Sequence, residues 1–177
     1  MKKFGNKKDS VGIVLLIVLA CLIFCTFVTI RIVKSVIFDR GCEGHLKRAA
    51  DSSTVELAKQ ELTTAITYLE QGNITSGYTS VLYKTPDEDI GFWYKNLKES
   101  LGELEKVKSE ATQLEKTNLL MKLRETLLDN SGEHGKTNVT CPSGISLFPN
   151  NVAYCFFGWI SGFLVLAAGV FGLYKSL

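Results

Sequence analysis

The sequence predicts an all-α membrane protein, in which two transmembrane helices bracket an extracytoplasmic, antiparallel, coiled-coil-like helical hairpin. Three observations predict this fold class. The 177-residue chain contains two long apolar blocks without Asp, Glu, Lys or Arg, Val11–Ile30 and Val152–Leu173. The segment between the blocks is rich in Glu and Lys, and its apolar residues recur at helical spacing. A soluble enzyme with one large core is therefore excluded as the default interpretation.

Each apolar block is long enough to cross a bilayer as a helix. A hydrocarbon core about 30 Å thick requires roughly 20 helical residues, which both blocks supply. Aromatic residues gather at the start of the second block, as they do in interfacial belts. We expect the first span, with an interfacial extension, at residues 11–38 and the second span at residues 151–174.

The charges that flank the blocks predict an orientation. Lysines precede the first block and follow the second, at Lys2, Lys3, Lys7, Lys8 and Lys175. Positive residues favour the cytoplasmic side, so we expect cytoplasmic ends at residues 1–10 and 175–177 in an inner cell membrane. Residues 39–150 are then outside. Arg31, Lys34 and Arg40, beyond the first block, oppose this orientation.

Two other interpretations of the first block stay open. A basic start followed by an apolar run is also typical of a secretory signal, but the run is long and no small-residue cleavage site follows it. The stretch Val18–Cys21 matches a bacterial lipobox, with Cys21 as the lipidated residue, although Leu22, Ile23 and Phe24 continue the apolar run. We therefore expect an uncleaved anchor in contact with membrane lipid.

Small residues lie one helical turn apart in both blocks: Gly158, Gly162, Ala168 and Gly172 in the second, and Cys21, Cys25 and Thr29 in the first. Such residues let helix backbones approach closely. They predict either an interface with another chain or packing of the two spans against each other. Neither block contains Asp, Glu, His, Lys or Arg, which disfavours a proton path or an ion channel within one chain.

The polar middle predicts two long helices, over residues 45–71 and 86–129. The first carries an apolar stripe at a 3,4 spacing from Val55 to Leu69, and Asp51–Ser53 marks either a break or a new N-cap. The second begins at Thr85 with Pro and Glu in capping positions. The intervening tip spans residues 72–85.

Two helices joined by one loop form a hairpin that buries little apolar surface alone. We therefore expect a homo-oligomer, in which a second copy completes a four-helix arrangement, or a place as a subunit of a larger membrane complex. The alternative is a thin hairpin held by the membrane and a disulfide.

Aromatic residues are concentrated around the tip, at Tyr78, Tyr83, Phe92, Trp93 and Tyr94. Together with nearby Ser, Thr and Gly they suit recognition of a protein partner. The alternative is a small cap core that closes the end of the hairpin. We treat the five aromatic residues as candidates for partner binding.

Cys42 and Cys141 flank the middle segment, at ends that meet in an antiparallel hairpin. In an oxidising compartment they predict a disulfide that clamps the base. The competing prediction is a zinc site, with His45 and His134 as the nitrogen ligands. The spacing from His134 to Cys141 is loose, so the disulfide is preferred and no metal is expected.

The sequence carries no pattern typical of an enzyme. It contains no nucleophile elbow, phosphate-binding loop, dinucleotide fingerprint or HExxH zinc motif, so no catalytic residue or cofactor is assigned. Residues 39–151 hold 13 Lys or Arg and 17 Asp or Glu, and this acidic balance argues against nucleic acid as a partner. Asn73 and Asn138 match the glycosylation pattern, which we interpret as chance.

These observations favour a non-enzymatic accessory or scaffold protein that self-associates and presents its hairpin for protein–protein interaction. One alternative is the ligand-sensing input subunit of a four-helix sensory protein. Another is a membrane-perturbing or pore-forming envelope protein, although uniformly apolar spans disfavour an aqueous lumen.

Overall fold

The computed structural model describes residues 7–80, 82–107, 110–129, 138–147 and 152–176. The chain divides into two compact units. The first consists of Met1–Val33 with Asn151–Leu177, and the second, which we call the helical domain, is Lys34–Asn150.

Helices dominate both units. In chain order they are α1 Lys7–Phe38, α2 Gly44–Ala50, α3 Val55–Gln71, α4 Ile90–Lys106, α5 Gln113–Leu127 and α6 Val152–Ser176. A π-helical turn, Asp39–Glu43, joins α1 to α2, and a 3₁₀ turn, Pro86–Glu88, precedes α4. Two short strands, β1 Leu128–Asp129 and β2 Asn138–Val139, pair antiparallel. The predicted helical class is confirmed.

Two helices have the length and composition needed to cross a membrane. The first is the continuous helical run Ile17–Ala50, from α1 to the end of α2, and the second is Val152–Val170 in α6. Their most apolar windows have mean hydropathies of 2.3 and 1.8, and 6% and 17% of the residues in these windows are buried. The core helix of a soluble protein is mostly buried, whereas both of these helices are mostly exposed. A signal sequence near the N-terminus has the same apolar character as the first. The location of residues 39–150 outside a membrane stays a prediction.

In the first unit, α6 packs against α1 through small and aromatic residues. Tyr154 donates a hydrogen bond to the Phe27 carbonyl at 2.5 Å, and the two rings stack with centroids 4.8 Å apart. A Cβ added at Gly158 would collide with the Phe27 ring. Ser161 and Ala168 continue this face of α6 and are buried. Small residues here bring two helices of one chain together.

The other small residues behave differently. A Cβ added at Gly162 would meet no atom of the described residues within 4 Å, and Cys21 and Cys25 of α1 are exposed. Gly172 lies near the end of α6, where the structure describes the helix but not the side chains. The predicted face of Cys21, Cys25 and Thr29 is therefore not the face that packs on α6.

Each of the two long helices predicted in the middle segment is divided. The predicted helix 45–71 is α2 followed by α3, and the predicted helix 86–129 is α4 followed by α5. The first break occurs at the expected place, but Thr54 rather than Ser53 is the N-cap. Its hydroxyl accepts a hydrogen bond from the Leu57 N–H at 3.2 Å.

The second break is a correction to the sequence prediction. α4 ends where Val107 adopts an extended backbone, and α5 begins with a capping box at Thr112. The Glu115 N–H donates to the Thr112 hydroxyl at 3.3 Å, and the Thr112 N–H donates to the Glu115 carboxylate at 2.8 Å. Hydrogen bonds from the Thr112 backbone and hydroxyl lower the pKa of Glu115. Apolar spacing that continues to Leu114 conceals this capping pattern in the sequence.

As a result, four short helices enclose one core within the described part of the helical domain. α2 contacts α3 and α5, while α3 contacts α4. Lys122 of α5 lies 2.7 Å from Glu103 of α4. The largest fully buried side chains of the core are Cys42, Leu46, Leu62, Leu69, Ile90, Leu97 and Leu127. The sequence predicts that a second copy completes a four-helix arrangement, but a single chain supplies all four helices here. A homo-oligomer is therefore not required to form this core.

The π-helical turn allows a close approach between two helices, at Gly41. A Cβ at this position would overlap the Tyr68 ring, which packs edge-on against Phe38 with centroids 6.0 Å apart. We expect Gly41→Ala to lower the free energy of unfolding by about 1–3 kcal/mol, because the aromatic pair must shift.

Gly102→Ala is the matched control, because a Cβ there meets no described atom within 4 Å. It should raise stability by roughly 0.5–1 kcal/mol, the difference in helix propensity between Gly and Ala. Denaturation of the full chain in detergent measures both variants. Equal effects would show that the contact between Gly41 and Tyr68 does not constrain the domain.

The α5 capping box can be tested with a matched threonine pair. We expect Thr112→Ala to destabilise the helical domain by about 1 kcal/mol, because it removes the acceptor for the Glu115 N–H. Thr117→Ala, one turn further along, removes only a hydroxyl bonded to the Gln113 carbonyl within the helix and should be neutral or slightly stabilising. The same denaturation measurement applies, and a neutral Thr112→Ala would contradict the assignment.

Candidate functional site

An open groove of about 540 Å³ lies in the helical domain beside the first turns of α4. We call it the α4 groove. One wall consists of Phe92, Trp93, Asn96 and Leu97, and the other of Val139, Thr140, Cys141 and Pro142. The two walls are separated by more than 40 residues in sequence, so the groove depends on the return of the chain through α5.

Local capping fixes the start of α4. The sequence predicts Thr85 as the N-cap, but Thr85 begins the 3₁₀ turn, where its N–H donates to the Glu88 carboxylate at 3.0 Å. The N-cap of α4 is Asp89, whose carboxylate accepts a hydrogen bond from the Phe92 N–H at 3.1 Å. Ile90, the first residue of the helix, is fully buried. These contacts set the rotation of α4 and place Phe92 and Trp93 at the groove.

Hydrogen bonds hold the Trp93 ring against the opposite wall. Its indole Nε1–H donates to the Thr140 carbonyl at 2.5 Å. The Thr140 N–H in turn donates to the Leu127 carbonyl, and the Thr140 hydroxyl donates to the Thr126 carbonyl, both at 2.8 Å. The two walls are therefore tied to each other and to the end of α5.

The structure brings together two of the five predicted aromatic residues. Phe92 and Trp93 line the groove, and Phe92 is 63% exposed. Tyr94 lies instead against α3, where its hydroxyl donates to Glu70 at 2.6 Å. Burial and this carboxylate raise the pKa of Tyr94 to about 12. Tyr83 is 82% exposed, and Tyr78 is half-buried, with the Lys84 ammonium 6.0 Å from its ring centroid.

The second wall was not identifiable from local sequence patterns. Val139 and Pro142 are ordinary apolar residues in a short segment that follows β1. Only the long-range contacts of Trp93 and Thr140 make this segment part of a site. The presence of a tryptophan at the start of α4 was the one signal that could have pointed to it.

Acidic side chains lie on the described lining of the groove. Asp87, Asp89 and Asp129 lie on its lining, and none of the lining residues that the structure describes is Lys or Arg. Asp87 is exposed and makes no hydrogen bond or ion pair with the described residues. The groove therefore combines aromatic and aliphatic walls with a negative edge, which we call the acidic rim.

Cys42 and Cys141 occur as free thiols in the structure. Cys42 is fully buried, and Cys141 is half-buried on the groove wall. Burial raises the pKa of Cys42 far above its usual range, and the charge of Cys141 contributes. Burial and the Glu43 carboxylate raise the pKa of Cys141 to about 12. The predicted disulfide between them is absent from the structure and stays a prediction.

The two histidines of the competing zinc site are otherwise engaged or not described. His45 Nδ1 lies 2.6 Å from a carboxylate oxygen of Glu61, and Arg48 lies 2.6 Å from the other oxygen. His134 is outside the described residues. In the part of the chain that the structure describes, no three His, Cys, Asp or Glu side chains are grouped to hold a metal ion.

The cluster of His45, Arg48 and Glu61 was missed by sequence reasoning. Glu61 is only 8% exposed. In the sequence it directly precedes Leu62 of the apolar stripe, and nothing distinguishes it from the other charged residues of the helix. Its two oxygens each have a cationic or hydrogen-bonding partner on α2. A buried carboxylate needs such partners, and the cluster ties α2 to α3.

Comparisons of this chain with protein-family models, with curated proteins and with solved structures find no match.

Proposed function

We propose that this chain is a non-enzymatic integral membrane accessory protein that binds a protein partner through the α4 groove. The observation that carries the proposal is Phe92, a large aromatic side chain that stands 63% exposed on the edge of a groove of about 540 Å³. Aromatic anchors beside pockets are typical of the residues that dominate binding energy at interfaces.

The rigidity of the groove supports the same conclusion. Trp93 is fixed by its hydrogen bond to Thr140, and Asp89 fixes the first turn of α4. A surface already held in its binding shape loses less conformational entropy on association. Tyr83, which is 82% exposed, lies outside this groove and lacks such support.

The proposed location follows from the two apolar helices and their flanking charges. We infer that α1 and α6 span an inner cell membrane, with both termini in the cytoplasm and residues 39–150 on the outer side. The lysines that precede the first apolar block and follow the second support this orientation. The helical domain would then meet its partner outside the cytoplasm.

Site-specific cross-linking tests the proposed partner-binding surface. A photoreactive amino acid at Asn96, inside the groove, should yield cross-links to a partner in native membranes. We expect Phe92→Ala to weaken that association about thirtyfold, the loss typical of an interface anchor, while the exposure of Phe92 leaves the fold intact.

Tyr83→Ala is the matched control, because it also truncates an exposed aromatic residue but lies outside the groove. It should leave the cross-links from Asn96 unchanged. Cross-links that persist with equal yield in Phe92→Ala would rule out the groove as the partner-binding surface.

The outward location also predicts a disulfide between Cys42 and Cys141. Closing a loop of about 100 residues would stabilise the domain by up to about 4.7 kcal/mol. Because Cys42 is fully buried in the folded domain, labelling must be done after denaturation. Maleimide added to denatured, unreduced protein from native membranes should modify three of the five cysteines, and all five after reduction.

Cys42→Ser provides the control, since it should leave Cys141 free and make all remaining cysteines reactive without reduction. Five adducts on the unreduced natural chain would refute the disulfide. Mass spectrometry of the intact protein counts the adducts directly.

A further inference from the structure

We draw no further inference here: the strongest candidate, the α4 groove with its acidic rim in the helical domain, belongs to the site already described, and nothing in the described residues shows what chemistry covers it.

Discussion

The return of α5 onto α2 is the constraint on which the helical domain depends. Without it, α3 and α4 form only a pair of amphipathic helices with an open face, and such a pair buries too little apolar surface to be stable in water. The capping box of Thr112 and Glu115 makes the return possible by starting a new helix in a new direction. Leu123 and Leu127 of α5 then become part of the same core as Leu46 and Leu62.

The same return creates the candidate site. The chain that leaves α5 passes through β1 and β2 and brings Thr140 under the indole of Trp93. A groove between α4 and this segment exists only because a stretch far along the sequence is delivered to the start of α4. The site is therefore a product of the domain's topology and not of any local motif. Its properties follow from ordinary residues placed side by side.

Sequence patterns predicted what is local and missed what is long-range. The two apolar helices, the break near Asp51 and the end of α3 at Gly72 follow from hydropathy, polar capping residues and glycine. The break after Lys106 was hidden because Leu104, Val107 and Leu114 keep helical spacing across it. Phe92 and Trp93 were predicted as candidates for partner binding because aromatic residues are concentrated around the tip. No local pattern could indicate Val139 or Pro142 as their neighbours.

The carboxylate of Glu61 has a structural consequence apart from binding. Its two oxygens contact His45 and Arg48, which lie about one helical turn apart on the side of α2 that faces α3. Apolar contacts between two helices tolerate sliding, because one leucine can replace another in a gap. A charge in the interface does not, since a displacement of α2 by one turn would strand it without a partner at a cost of several kcal/mol. Glu61 thus selects a single register of α2 on α3.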